Sequence, residues 1–276
     1  MGSFFKGEKM RAAMIQCAVT HDKAENIRRA VKLIEKAAAE GIDMAVLPEM
    51  FCCPYANRYF REYGEEKGGE AYKAVSGTAK KLGIYIVAGS VPEIEGDKTY
   101  NTSYVFNRQG KQIARHRKVH LFNINVPGKK VFYESKTLSP GTETTVFDTE
   151  FGKMGLCICF DLRFQAMSKE MADNGAKVII APAAFNMITG PAHWELLIRQ
   201  RAVDNQIFTM AVAPARDVNS KEYVSYANSM AADPWGTVIA HMGEDEGYAI
   251  ADMDFARIDE VRGQLPVVCP VEYPGT

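Results

Sequence analysis

The chain has no apolar run approaching the roughly 18–20 residues that a membrane-spanning helix needs. Its first residues, Met-Gly-Ser-Phe-Phe-Lys, become charged too early for a secretory signal. No block of like charge is present either: 33 Lys and Arg stand against 34 Asp and Glu, for a formal net charge of −1. Strong attraction to nucleic acid or to an anionic membrane is therefore not expected. Cysteine is sparse. The six thiols, at 17, 52, 53, 157, 159 and 269, contain no Cys-x-x-Cys and are too few for a disulfide scaffold in 276 residues. A reducing cytoplasm is the expected setting, and the one sequon, Asn101-Thr-Ser103, reads as a chance match. Gly-x-Ser-x-Gly and His-Glu-x-x-His are both missing, and none of the five histidines sits in a recognisable nucleophile context. No Pro/Gly/Ser linker or low-complexity segment divides the chain.

What is there is ample core material, 47% hydrophobic with 24% charged, arranged as strands alternating with helices. Arg11–Ala18 reads as a first strand. Asp22-Lys-Ala-Glu25 resembles a capping box opening a helix with Ile27, Val31, Ile34 and Ala38 at helical spacing, closed near Gly41. Met44–Leu47 is a short apolar run of the kind covered on both faces. A helix is expected over Glu70–Leu82, a strand over Ile84–Gly89, and a hairpin from Tyr104–Asn107 to Gln112–Arg117 around Arg108-Gln-Gly110. The second half repeats the rhythm: strand Met154–Cys159, helix Phe164–Asn174 before Gly175, strand Val178–Ala181, helix Ala192–Asn205 and strand Phe208–Ala213. Further β segments follow near Tyr226–Asp233 and Tyr248–Asp252, then a short helix near Phe255–Gly263. This pattern predicts a single α/β domain whose halves look pseudo-duplicated.

Three strand-like runs end in ionisable residues: Glu49 after Met44-Ala-Val-Leu-Pro48, Lys118 after Gln112–Arg117, and Cys159 after Lys153-Met-Gly-Leu-Cys-Ile158. Strand ends are where open α/β folds place their chemistry. A free thiol, with a pKa near ~8.5, needs a base or a positive field to attack anything. Glu49 offers the base and Lys118 the field. Each residue also has a plainer reading: the cysteine as a small hydrophobe, the glutamate as a solvated turn, the lysine as part of an exposed basic face. Cys52, Cys53, Cys157 and Cys159 admit a metal site as a further alternative, although their spacing matches structural zinc poorly.

Leu47-Pro-Glu49, Arg117-Lys-Val-His-Leu-Phe122 and Gly155-Leu-Cys-Ile-Cys-Phe-Asp161 resemble, in order and at typical separations, the catalytic motifs of the nitrilase superfamily of carbon–nitrogen hydrolases. The likeness runs from about Arg11 to Pro266, within a domain placed at 8–268 between tails 1–7 and 269–276. It implies a four-layer α-β-β-α sandwich, assembled as a homodimer or higher homo-oligomer. It also implies Glu49 as general base, Lys118 as oxyanion stabiliser and Cys159 as nucleophile; the Phe160 N–H, at the start of the turn after the strand, is a candidate second donor to the oxyanion. Glu134 matches a glutamate that in relatives lies beside the lysine; as a loop surface charge it would do nothing.

Longer stretches, His120-Leu-Phe-Asn-Ile-Asn-Val-Pro-Gly128, Glu134-Ser-Lys-Thr-Leu-Ser-Pro-Gly141, Phe185-Asn-Met-Ile-Thr-Gly-Pro-Ala-His-Trp-Glu195 and Arg201-Ala-Val-Asp-Asn-Gln206, resemble the ω-amidase branch. That branch removes ammonia from the terminal amide of 2-oxo-dicarboxylic acid monoamides such as 2-oxoglutaramate and 2-oxosuccinamate. The likeness implies a small-molecule amide substrate and no metal or organic cofactor. An N-carbamoyl amine or amino-acid amidohydrolase on the same triad is the alternative. The substrate's far carboxylate asks for a donor. Arg163 is a candidate, and so is its burial as a pair with Asp161 or another acid. Tyr55 either presents a hydroxyl or packs as a core aromatic. Phe185, Asn186 and Thr189 are expected to line the pocket, and His193-Trp194 to pack a helix start. Cys157, where relatives commonly have glycine, is expected to face the same way as Cys159. With Cys52 and Cys53 close behind Glu49, it suggests an activity sensitive to oxidation.

Overall fold

The structure, a computed structural model, describes residues 9–128, 130–220 and 223–267. The two tails and Cys269 lie outside the described residues. The first half contributes β1 (Lys9–Gln16), α1 (Lys23–Ala38), β2 (Met44–Val46), α2 (Asn57–Phe60), α3 (Glu70–Leu82), β3 (Tyr85–Val87), β4 (Val91–Glu95), β5 (Lys98–Phe106) and β6 (Gln112–Arg117). A short hairpin, β7 (Asn123–Val126) and β8 (Lys130–Tyr133), leads into β9 (Thr145–Thr149). The second half follows with β10 (Gly152–Leu156), α4 (Gln165–Asp173), β11 (Ala176–Pro182), α5 (Gly190–Asn205), β12 (Phe208–Val212), β13 (Met230–Ala232), β14 (Val238–His241), β15 (Gly247–Asp254) and α6 (Ala256–Gln264).

One sheet runs β15-β1-β2-β3-β5-β4 with β6 paired to β5; the other runs β14-β13-β12-β11-β10-β9. Period-two alternation decides what each strand covers. On β1, Met10, Ala12 and Met14 enter the core between the sheets, while Ala13 and Ile15 face outward. Met44 and Val46 against Ala45, and Tyr85 and Val87 against Ile86, repeat the choice on β2 and β3. The outward set meets Ile27, Ala30 and Ile34 of α1 and Val75 and Ala79 of α3. Met171 of α4 and Trp194, Ile198 and Ala202 of α5 cover the second sheet. The layers are therefore helices, sheet, sheet, helices. The parallel trio β1-β2-β3 has its counterpart in β10-β11-β12, which is the duplicated rhythm seen in the sequence.

Local signals explain the ends. Asp22 Oδ1 accepts the Glu25 N–H at 2.8 Å, the N-cap half of the expected capping box. The β5–β6 hairpin forms around Arg108-Gln-Gly110, with Gly110 at φ 73°. One expectation needs correcting. The strand predicted over Met154–Cys159 stops at Leu156, and Cys159 opens a 3₁₀ turn, Cys159–Arg163. The alternation that would point Cys157 and Cys159 the same way does not extend that far.

Candidate active site

Glu49, Lys118 and Cys159 each stand just beyond the end of a strand: β2, β6 and β10. Two glycines make the first two placements possible. A Cβ on Gly89 would stand 2.1 Å from Pro48 O, and one on Gly141 2.1 Å from Arg117 O, so the backbones behind Glu49 and Lys118 approach closer than any side chain allows. The Gly141 N–H donates to Lys118 O at 2.8 Å and the Ser90 N–H to Pro48 O at 3.2 Å, fixing both turns. Cys159 has φ 50° and Met50, directly after Glu49, φ 52°. Left-handed backbone at non-glycine residues is costly, about 1–3 kcal/mol each, and concentrates at functional sites.

The side chains converge. Lys118 Nζ lies 2.9 Å from Glu49 Oε1 and 2.9 Å from Glu134 Oε2, with all three side chains fully buried. Glu134 begins a 3₁₀ turn after β8, and its Oε2 also accepts the Phe122 N–H at 2.5 Å. It is no surface charge. Tyr55 Oη donates to Glu134 Oε1 at 2.5 Å and stands 3.3 Å from Glu49 Oε1. Asn101 Nδ2 donates to Glu49 Oε1 at 2.8 Å. Asn101 is itself completely buried, which disposes of the sequon as a surface feature. Glu49 Oε2 has no hydrogen-bond partner among the described residues, and the Cys159 thiol and this carboxylate act on each other's proton affinity.

Electrostatics follow from burial. Burial pushes the Cys159 thiol well above its usual range, the Glu49 carboxylate adds to that push, and Lys118 opposes it. Burial also raises Glu49, against Lys118 and with Glu134. Burial alone would lower Lys118, but Glu134 and Glu49 together outweigh it and hold the ammonium charged. The resting site is thus a neutral thiol beside a permanent cation and a carboxylate with a raised proton affinity.

The turn after Cys159 is clamped from two sides. Asp161, fully buried, accepts from Ile158 N at 3.1 Å and His120 N at 2.8 Å, and contacts His116 Nε2 at 3.0 Å and His120 Nδ1 at 2.8 Å. Burial works against its charge, yet the His116 and His120 contacts hold its carboxyl well below the usual range. From α5, Arg201 donates to Leu162 O at 2.9 Å and to Arg163 O at 3.0 Å.

Arg163 is not paired with Asp161. Its Nη1 lies 3.2 Å from His193 Nδ1, its guanidinium sits over Phe185 at 4.9 Å and Phe160 at 5.5 Å, and its Nε is buried without a partner among the described residues. Burial lowers its proton affinity, and no ion pair with a carboxylate of the described residues offsets this. Arg163, Phe160, Phe185 and Thr189 line a slot beside Cys159. Asn186 does not. Its Oδ1 accepts from Ile188 N at 2.9 Å and Thr189 N at 3.0 Å, so it builds the loop that carries Thr189. His193 starts no chemistry of its own but supports Arg163, and Trp194 is buried with its Nε1 donating to Asn228 O at 2.6 Å.

Sequence reasoning gave Asn101, Asp161 and Arg201 no supporting role at the site and did not single out Tyr223. Tyr223 packs against Tyr55 with ring centroids 4.5 Å apart, and its hydroxyl donates to the Ala184 carbonyl. The five described cysteines are all unbridged. Cys157 feels Asp161 and Arg201 where Cys159 feels Glu49 and Lys118, so the two thiols occupy different environments. Among the described residues no group of three His, Cys, Asp or Glu side chains is placed to hold a metal ion, and no helix is long and apolar enough to cross a membrane.

A buried carboxylate, ammonium and thiol at the strand ends of an α-β-β-α sandwich define a hydrolase of carbon–nitrogen bonds. The sequence profile of the carbon–nitrogen hydrolases matches residues 11–263, and the chain belongs to that family. Within it, the chain is 46% identical over 259 residues to omega-amidase NIT2 of Danio rerio, covering 94% of this chain and 93% of that one. It is 44% identical over 257 residues to omega-amidase NIT2 of Homo sapiens, covering 93% of each. Among solved structures, Saccharomyces cerevisiae Nit3, a member of branch 10 of the nitrilase superfamily, superposes with a TM-score of 0.89 at 39% identity, covering 99% of this chain and 100% of that one.

Proposed function

We propose that this enzyme is an ω-amidase, releasing ammonia from the terminal amide of 2-oxo-dicarboxylic acid monoamides through a Cys159 thioester. The observation that carries the reading is the guanidinium of Arg163, half-buried beside the nucleophile, its Nε inaccessible and no carboxylate of the described residues paired with it. Burying a charge unpaired is expensive, and a substrate carboxylate removes that cost. Phe185, Phe160 and Thr189 stand with Arg163 around the slot beside Cys159, so a carboxylate on Arg163 would direct the substrate's other end toward the thiol. The ω-amidase relatives point to the same substrate class.

Each step then has a residue. Glu49 takes the thiol proton as sulfur attacks the amide carbon, and its raised proton affinity lets it keep that proton for delivery to the leaving nitrogen. Lys118 faces the oxygen that becomes negative, with the Phe160 N–H as second donor. After ammonia leaves, Glu49 draws a proton from water as the water attacks the thioester, and the thiolate recovers that proton. Glu134 and Tyr55 hold Lys118 and Glu49 in register. The chain needs no cofactor for this sequence, and its unbridged thiols suit a reducing cytoplasm. A homodimer is the expected assembly, on the same likeness.

The test is ammonia release from 2-oxoglutaramate and 2-oxosuccinamate against a panel of N-carbamoyl amines and amino acids, in the parent and in Arg163→Met. The reading expects the 2-oxo amides to be turned over at least about a hundredfold better, and Arg163→Met to raise KM by about a hundredfold, the loss of one charged hydrogen-bonded contact. Preference for N-carbamoyl substrates would replace this function with the alternative on the same three residues.

A further inference from the structure

The two oxygens of Glu49 meet different surroundings. Oε1 accepts from Lys118 Nζ at 2.9 Å and from Asn101 Nδ2 at 2.8 Å. A carboxylate oxygen offers about two lone-pair sites, so these donors fill it. Tyr55 Oη stands 3.3 Å from the same oxygen, but its one proton goes to Glu134 Oε1 at 2.5 Å. Oε2 is buried and has no hydrogen-bond partner among the described residues. A proton reaching this carboxylate therefore settles on Oε2.

Asn101 supplies the second donor from β5, a strand that carries none of the three reactive residues. Its backbone carbonyl accepts the Lys118 N–H at 2.9 Å while its amide reaches Glu49, so one residue ties the lysine to the base. Asn101 is completely buried, and its Oδ1 has no hydrogen-bond partner among the described residues. A buried amide with an unused acceptor costs stability. The bond to Glu49 is the one hydrogen bond that its side chain makes among the described residues, so the amide serves the base and not the packing of β5.

We propose that Asn101 is a positioning residue for the base: by occupying Oε1 it confines proton transfer to Glu49 Oε2, which receives the Cys159 proton and returns it to the leaving nitrogen. This rests on Glu49 serving Cys159 as described above, and not on which amide is cleaved. The proton leaves sulfur as the S–C bond forms, sits on Oε2, and passes to nitrogen as the C–N bond breaks. A hydrogen bond to the ionised carboxylate also favours that form, so Asn101 opposes the rise that burial imposes on Glu49. The other groups facing Glu49 are Lys118 from the β6 end, Glu134 after β8, Tyr55, Tyr223 and Cys159. Burial raises Tyr55, Tyr223 and Cys159 well above their usual ranges. Burial works against the Lys118 charge, but Glu134 and Glu49 hold it. None of these four changes charge in the acid range, which leaves the two carboxylates.

The experiment measures the rate of Cys159 alkylation by iodoacetamide between about pH 4 and 9, read by mass on the peptide that holds Cys159. Sulfur displaces iodide while its proton goes to Oε2 and on to water, so no amide substrate enters the test. The proteins are the parent, Glu49→Gln, Asn101→Leu and Asn101→Val; both Asn101 variants keep the backbone bond to Lys118 and lose only the amide. The parent is expected to lose rate in acid with a midpoint that Glu49→Gln abolishes. Both Asn101 variants should move that midpoint up by about one to two pH units, the loss of one hydrogen bond to a charged group, with the rate above it within about tenfold of the parent. A merely structural role would lower the upper rate and leave the midpoint in place. If the midpoint of either variant, melting within about 5 °C of the parent, moves up by less than about 0.3 pH units or moves down, the Asn101 proposal fails and the ω-amidase reading stands. If both variants fail to fold, Asn101 is a folding residue and the proposal falls. If Glu49→Gln keeps the parent's midpoint, the role of Glu49 as base falls too.

Discussion

Lys118 Nζ stands 2.9 Å from Glu134 Oε2, and neither side chain has any accessible surface. The β7–β8 hairpin leads directly into Glu134, whose N–H donates to Phe122 O at 3.1 Å as the hairpin closes. With two carboxylates around it, Lys118 keeps its charge in a setting that would otherwise strip it. Glu134→Gln preserves the volume and removes one charge. It is expected to lower kcat by about 10²–10³-fold, the range seen when an oxyanion donor is mispositioned, with KM changed far less. Steady-state kinetics check this, and a large rise in KM with kcat intact would place Glu134 in substrate binding instead.

Gly141 is a second route to the same lysine. A methyl group there would overlap Arg117 O, the residue before Lys118. Gly141→Ala is therefore expected to move the β6 end, costing about 1–3 kcal/mol of stability and reducing kcat more than tenfold. Thermal unfolding read beside kcat checks it; a variant as stable and as active as the parent would show the close approach to be unimportant.

The pH dependence has a definite sign. In the proposed mechanism Glu49 works as a carboxylate, and burial raises its proton affinity, with Glu134 adding to the rise and Lys118 resisting it. On lowering the pH, kcat/KM should fall with a midpoint above the ordinary glutamate value of about 4.3. Glu134→Gln removes one of the raising charges, so the midpoint should move to lower pH while the maximum rate drops. A pH–rate profile of the two proteins decides it, and a limb moving upward contradicts the assignment.

Asp161 offers a stability test. Its folded-state pKa is depressed, chiefly through His116 and His120 acting against burial. A depressed carboxylate contributes stability above its unfolded value, about 3.9, and loses it as pH falls below that point toward the folded value. Asp161→Asn should cost at least about 2 kcal/mol at neutral pH. The gap from the parent should stay constant from about pH 5 to 7 and shrink below about pH 4. Urea unfolding across pH 3–7 measures the gap, and a gap that widens in acid would be the wrong sign.

The sequence made Glu49, Lys118 and Cys159 legible because each is announced within a few residues of its own strand. Their supports were not legible, because those act across the fold. Asn101 reaches Glu49 from 52 residues away, Tyr55 reaches Glu134 from 79, and Asp161 binds His116 from 45. β7 and β8 are only four residues each: Asn123-Ile-Asn-Val126 alternates but Lys130-Val-Phe-Tyr133 does not, so the hairpin that delivers Glu134 left half a periodic trace. Apolar Cys157 and Ile158 lengthen the strand expected before Cys159; the turn there is held by Asp161, through Ile158 and His120, and by Arg201 from α5. Local sequence leaves Arg163 between two roles, and Asp161, fully engaged by Ile158, His116 and His120, decides against the pair.

The central claim is that Cys159 carries the acyl group while Glu49 and Lys118 serve it. The most direct measurement is acid-quenched peptide mass spectrometry of the parent turning over 2-oxoglutaramate, with Cys159→Ala run in parallel. The account predicts a mass gain equal to the 2-oxoglutaryl group on the peptide holding Cys159, and a variant that releases ammonia at least about 10⁴-fold more slowly. Acyl mass on any other residue, or a Cys159→Ala enzyme within tenfold of the parent, would contradict it.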